Sequence, residues 1–518
     1  MTSRHYDVVV LGRSLGALAT AALLARRDFR VLLLGQGQKP PSYSFEGHLL
    51  RRRTFTLLAG SSPAWRRILH ELAQSQRFRR HAKALDPMFV VLAPGRRVEI
   101  PPDLELFERE VDREFPQVRQ VVDELYATFA RVNAAADAAF ERDAVWPPGN
   151  LWERIETARA SNALPFVGPE GQHDLLGKFP AGHPYRSLTV LPAMFASNSA
   201  GPGDALPPFA LARLHGAWTR GVVALDRAED ELAEFLIERI EAHGGVCRLD
   251  HRASKIVVRH GAVAGIMESG EEEPTGTDAI VCSLSGEMVA ELAQGEGITK
   301  HALRDWPRLT ATVGRFVVSL VVSREALPEP LGAEAFIVPP DGNRPDPRRP
   351  VVRLQRLGSE GQSAQDETLL VAETLLPVRG PLTLLEGRDA VLASLREHLP
   401  FLDGHLRVVD SPHDGLPLHE YTDGERREID RIHVRESTPG AEPMEWQWAT
   451  DGPSYLNLGG EPIRGPIPGS YLVGKTVLPT LGQEGELLAA WGAARIITRK
   501  DRSRQKMRQR MWTKIETG

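Results

Sequence analysis

A chain of 518 residues is longer than one hydrophobic core ordinarily serves, so more than one domain is expected. Its 42% hydrophobic and 25% charged residues are those of a globular protein, which excludes a disordered or fibrous chain. The net charge of −5 argues against a uniformly basic nucleic-acid binder, and no run approaches the ~18 uninterrupted apolar residues of a membrane helix.

Tyr6 to Leu11 is a short apolar run, the mark of a strand buried on both faces of a parallel sheet. No basic segment leads into it through a cleavable apolar stretch, so a cytoplasmic location is expected. Gly12-Arg13-Ser14-Leu15-Gly16-Ala17 follows, then an alanine- and leucine-rich helix over 18–27 and a second buried strand over 29–34. This is a β-α-β unit, the usual start of a doubly wound dinucleotide fold. The turn between its strand and helix can hold a pyrophosphate on free N–H groups at the helix N-terminus. The G-x-G-x-x-G spacing falls on Gly12, Ser14 and Ala17. Gly12 makes the tight turn and Ala17 is small enough for helix–strand packing, whereas Ser14 brings a Cβ to the point of closest phosphate approach. The second strand ends in Gly35-Gln36-Gly37, where ribose-binding chains carry an acid. A hydrogen bond to such a charged group contributes about 1.5–3 kcal/mol, and Gln36 is the one neutral substitute at hand.

Residues 207–288 predict a small-residue helix, then an amphipathic one with Leu232, Phe235, Leu236 and Ile240 on one face. Gly244-Gly245 stops it, and strands follow over 246–249, 253–258, 262–268 and 278–282, with a turn at Gly261. Near the end, 469–474 reads as a strand closing on Gly474, 480–485 as a turn, and 487–497 as another small-residue helix. Cys247 and Cys282 are expected as buried thiols of a reducing compartment. His243 and His251 each lie four residues from Cys247, but across the Gly244-Gly245 stop they share no helical face, so no metal site is expected.

The order of these three segments resembles the phytoene-desaturase-like branch of the flavin amine oxidase superfamily, covering about half the chain. The resemblance implies an α/β fold: a Rossmann-like FAD-binding domain (a doubly wound parallel sheet) with a mixed α+β substrate domain. It divides the chain into FAD-binding pieces at 1–80, 205–300 and 441–500, a helical cap at 81–204, a mixed substrate sheet at 301–440 and a basic tail at 501–518. It implies bound FAD, with Gly12, Ser14, Leu15, Gly16 and Ala17 at the pyrophosphate, and Gly35 and Gln36 at the ribose. Ala253 would lie beside the adenine, and Gly474, Gly482, Gln483, Glu484 and Gly485 around the ribityl chain and flavin. The chain departs from the family pattern at several of these points. Lys39-Pro40-Pro41-Ser42 stands for a Gly-Gly-Arg motif, Arg227-Ala228 for a glycine pair, and Glu484-Gly485 for Pro-Gly.

Between these pieces, apolar residues from Leu104 to Val132 recur at helical spacing with an interruption at Pro116, and strand-like runs appear at 312–322, 351–357 and 368–376, with a helix over 388–398. The segment 184–205 reads as a packed connection or the border of a substrate cavity. The loop 332–350 is rich in proline, glycine and charge. In the tail, Arg499, Lys500, Arg502, Arg504, Lys506, Arg508, Arg510 and Lys514 interleave with Met507, Met511 and Trp512. That pattern suits a solvated helix end, or a contact with an anionic membrane surface or acidic partner. No side chain belongs to a recognisable catalytic motif, so no catalytic residue is nominated.

Three functions follow from this reading. The first is an FAD-dependent oxidoreductase that removes hydride from an apolar small molecule. The second is a non-catalytic relative with a structural or assembly role and weak or no FAD binding, suggested by Ser14, Gly35, Arg227 and Glu484. The third, a nicotinamide-dependent dehydrogenase, has only the glycine loop in its favour.

Overall fold

The computed structural model describes residues 5–167, 174–200, 206–328, 331–339, 348–358, 366–422, 424–452 and 454–501. The tail beyond Asp501 and much of the 332–350 loop lie outside the described residues.

The N-terminal β-α-β unit forms as its sequence dictates: β1 (His5–Leu11), α1 (Leu15–Arg26) and β2 (Val31–Leu34). Eleven of the twelve residues of α1 are buried, because alanine, glycine and leucine let it nestle between sheet and neighbouring helices. Further on come β3 (Phe89–Ala93), β4 (Arg96–Ile100), α2 (Arg119–Phe140), α3 (Leu151–Ser161), α4 (Pro208–Thr219) and α5 (Ala228–Ala242). The periodic stretch from Leu104 is two helices rather than one. The first ends at Glu114 and α2 starts at Arg119, with a short 3-10 turn between them at Pro116–Val118.

The central segment supplies β5 (Val246–Arg248), β6 (Ala253–Arg259), β7 (Ala262–Glu268) and β8 (Thr275–Cys282). Then come β9 (Arg308–Ser323), β10 (Glu334–Ile337), β11 (Val352–Gly358), β12 (Glu367–Pro377), β13 (Leu406–Asp410), β14 (Leu418–Thr422), β15 (Glu425–Ile429) and β16 (Glu445–Asp451). The chain closes with β17 (Ser470–Leu472) and α6 (Gly482–Lys500).

Two large sheets result. In the seven-stranded one, β5-β2-β1-β8-β17 lie side by side and all parallel, with the β6–β7 hairpin joined antiparallel to the start of β8. Three distant pieces of chain therefore build one doubly wound layer, and α5 and α6 each pack against α1 over it. The ten-stranded sheet runs β15-β14-β13-β9-β12-β11-β10-β3-β4, with β16 paired to the first half of β9. It is antiparallel except where β10 meets β3. The 16-residue β9 serves both halves because its apolar end, Val317 to Val322, is buried while its polar start pairs with the tryptophan-bearing β16. No helix among the described residues is long and apolar enough to cross a membrane.

Candidate functional site

The site to examine is the N-terminal turn of α1, where free amides would face an anion. Gly12 takes φ +109°, a conformation only glycine holds without strain. Ser14 is the N-cap, and its hydroxyl accepts from the Ala17 amide at 3.3 Å. The Arg13 amide donates to Gln38 Oε1 at 2.6 Å, and Gln38 Nε2 donates on to Ser283 Oγ at 3.2 Å. The Gly16 amide faces Glu486 Oε2 at 3.3 Å. Glu486 projects from the second turn of α6 and is 3% exposed. Burial raises its pKa above the ordinary carboxyl range, against the pull of Lys475 and of the Gly16 amide. The amides of Arg13, Gly16 and Ala17 are thus each taken by an oxygen of the chain itself.

The space around the glycines is filled in the same manner. A Cβ on Gly12 would lie 1.8 Å from Ser283 Oγ, one on Gly16 2.0 Å from the Val473 carbonyl oxygen, and one on Gly474 2.4 Å from that of Ser283. These glycines are required by protein–protein packing within the fold. The turn at Gly12–Ala17 and the chain through Val473 and Gly474 do meet, as two walls in direct contact.

At the far end of β2, the Gln36 side chain is bound to the backbone of Ala253. Its Nε2 donates to the Ala253 carbonyl at 2.9 Å, and its Oε1 accepts from the Ala253 amide at 2.8 Å. Gln36 sits at φ +54°. Gly35 packs on the backbone after β5, where any Cβ would fall 1.8 Å from the Leu249 carbonyl oxygen. An acid at position 35 has no room, so its absence follows from the close approach of two backbones. Gln36 and Ala253 are therefore bound to one another, while the Gly35 amide donates to the Arg248 carbonyl.

Gln483 and Glu484 turn away from α1. Gln483 Oε1 accepts from the Leu58 amide at 2.9 Å and its Nε2 donates to the Thr56 carbonyl at 2.8 Å. Glu484 holds Arg213 of α4 through two bonds of 2.6 Å and accepts from Ser62 Oγ at 2.5 Å. Arg213 also reaches Asp137 and Asn133 of α2, at 2.7 and 3.0 Å. Gly482 and Gly485 are packing glycines, whose Cβ atoms would lie 2.1 Å from the Ala196 carbonyl and 2.3 Å from that of Leu478. Beside this knot is a recess of about 20 Å³, room for about one water, lined by Leu58, Ala196, Leu214, Arg220 and the paired Arg213 and Glu484. That is far too small for a small-molecule ligand.

Between the two sheets lies a group of charges that sequence reasoning missed. Arg53 pairs with Glu229 at the start of α5 and with Glu445 of β16 at 3.0 Å, and Lys475 reaches Glu445 at 2.5 Å. Arg51 pairs with Asp230. Arg13 and Glu486 feel these same groups: Arg53, Asp230 and Glu229 act on Arg13, and Lys475, Glu445 and Glu229 on Glu486. Desolvation opposes ionisation of Glu445, but Lys475 and Arg53 prevail and hold it well below the usual carboxylate range. Arg13, Arg51, Arg53 and Lys475 stand against Glu229, Asp230, Glu445 and Glu486, four formal charges of each sign. Ala228 leads into this cluster at φ +49°, so the backbone keeps a glycine-like conformation where the family pattern has glycines.

The face of the ten-stranded sheet that meets segments 54–56 and 194–197 is polar too. Thr54 pairs with Glu373 and Thr56 with Glu334. Arg353 joins Glu334 at 3.1 Å and Gln355 joins it at 2.8 Å, while Arg315 binds Glu373 and the carbonyls of Phe195 and Ser197. Residues 184–196 form a helix whose C-terminal end Arg315 and Gln447 pin to the sheet, so this stretch is a packed connection. Elsewhere, His5, Asp7 and Asp278 bring possible ligand atoms within 4.8 Å of one another, but Asp7 accepts from the Arg30 amide and guanidinium, as a surface cluster does.

These residues do not fit a flavin dinucleotide. Gln38, Glu486 and Ser283 stand where the pyrophosphate would need the α1 amides and glycine surfaces, and the Gln36–Ala253 pairing stands where an adenosine would need acceptors.

No family model matches the chain, and no curated protein matches it. Solved structures do. An oxidoreductase from Methanosarcina mazei aligns with a TM-score of 0.57 at 15% identity, over 93% of this chain and 98% of that one. A redesigned putrescine oxidase aligns at 0.53 and 12%, over 95% and 99%. Cyclohexylamine oxidase from Brevibacterium oxydans aligns at 0.52 and 12%, over 96% and 99%. The chain shares the fold of these proteins over almost its whole length, and its parallel-strand sheet is of the Rossmann-like kind.

Proposed function

We propose that this chain is a non-catalytic relative of the FAD-dependent oxidoreductases, keeping their fold as a rigid scaffold for a structural or assembly role. The observation that carries this reading is the pairing at α1, where Gln38, Glu486 and Ser14 satisfy the amides of Arg13, Gly16 and Ala17. A helix N-terminus whose amides are already paired gains little from an incoming anion, which must first displace those hydrogen bonds. The phytoene-desaturase-like alternative, hydride removal from an apolar substrate, asks for an apolar pocket facing the dinucleotide site. Paired glutamates and arginines line the corresponding sheet face here.

The test is a visible spectrum and an FAD titration of the purified full chain. A colourless protein is expected, with no tryptophan quenching and no rise in unfolding midpoint when FAD is added. Flavin bands that survive gel filtration would overturn the reading and restore the oxidoreductase.

A further inference from the structure

We propose that the outer face of α3, beside the end of α6, is a docking surface for an anionic lipid bilayer. The proposal stands apart from the closed dinucleotide site. Leu151 is 71% exposed, Trp152 74% and Ile155 37%. At ~3.6 residues per turn the three fall within an arc of about 100° on one side of the helix. Glu153, Thr157 and Ala160 are the buried residues of α3, so it turns its largest apolar side chains outward. Single exposed apolar residues are ordinary, but a contiguous group containing tryptophan marks an interaction surface.

Charge identifies the partner. The acids of α3 are turned to the protein: Glu153 holds Arg464 at 2.5 Å, and Glu156 holds Arg495 at 2.9 Å and Arg499 at 3.1 Å. Arg154 and Arg159 are exposed and make no ion pair among the described residues, and nearby Arg142 donates only to the Arg159 carbonyl. The solvent side of α3 is therefore apolar and cationic at once. The Arg499–Glu156 pair also fixes where α6 ends, so the chain leaves at Lys500 alongside α3. The 18 residues that follow contain Arg502, Arg504, Lys506, Arg508, Arg510 and Lys514 against Asp501 and Glu516. An aromatic and aliphatic wedge flanked by exposed arginines suits phospholipid headgroups above an acyl layer. An acidic protein would answer the charges but not the protruding Trp152 and Leu151.

Co-sedimentation of the full chain with vesicles tests this, using phosphatidylcholine alone and phosphatidylcholine with about one third phosphatidylserine. Binding is expected only to the mixed vesicles and should weaken as salt rises. Leu151→Ser with Trp152→Ser should lower it by about fivefold or more, with the unfolding midpoint unchanged because both side chains are exposed. Wild-type binding by the double variant would overturn the proposal. So would a chain that ignores both vesicle types, whether or not it binds polyglutamate.

Discussion

Glu486→Gln keeps the size of the side chain and an oxygen for the Gly16 amide while removing the charge. In the native protein burial raises the pKa of this carboxyl, and the neighbouring Glu445 and Glu229 carboxylates push the same way. A carboxyl whose folded pKa stands above its unfolded value of about 4.3 stabilises the fold fully below that unfolded value. The contribution is lost as pH rises through the folded value. Across that window the wild-type unfolding free energy should fall relative to the glutamine variant by up to about 1.4 kcal/mol per pH unit, and the gap should then stay constant. Urea unfolding in steps from about pH 4 to pH 8 measures it, with m-values checked for constancy. Parallel curves, with the variant the weaker at every pH, would refute the reasoning. Glu486 would then be a fully ionised ligand that the α1 terminus holds at a net gain.

Two further outcomes are expected. Arg213→Met alone should cost about 3–5 kcal/mol, since it strands Glu484 in the interior, whereas Arg213→Met with Glu484→Leu should recover most of that loss in urea unfolding. Burial pushes the Cys247 and Cys282 thiols up to about 12, so a thiolate-directed disulfide reagent near pH 8 should leave both silent in the folded protein and titrate both in denaturant.

The sequence was legible where a pattern is local. The β-α-β start, the Gly244-Gly245 stop and the closing strand, turn and helix all appear in the expected order, because strand burial, helix composition and glycine turns are written within ten or twenty residues. Ser14 was recognised as the odd residue of its turn, but its role as an N-cap needs only the helix that follows it. Gln38 and Glu486 could not be assigned in this way. Gly16 and Glu486 are 470 positions apart, and no periodicity tells which glutamate of α6 points at which amide. A weak signal exists: Glu484 and Glu486 are acids at the start of a helix otherwise built to be buried. The position of Arg213 in a small-residue helix was likewise a sign that a buried carboxylate awaited it. The hairpin of Ser42–Phe45 with His48–Arg51 also went unread: Ser42-Tyr43-Ser44-Phe45 alternates before a Glu46-Gly47 turn, but four residues are too short a run to stand out.

The parallel layer also sets the order in which this protein can come into being. β1 finds its partner β8 only when Ala279 has been made opposite Val8, and β8 waits in turn for Tyr471 opposite Val281. At a synthesis rate of ~5–20 residues per second, the oldest strand spends tens of seconds with an apolar edge uncovered. Such long-range pairing folds slowly and is exposed to aggregation meanwhile. A nascent chain of this kind depends on being shielded until its last fifty residues emerge, and fragments that stop short of β17 should not fold on their own.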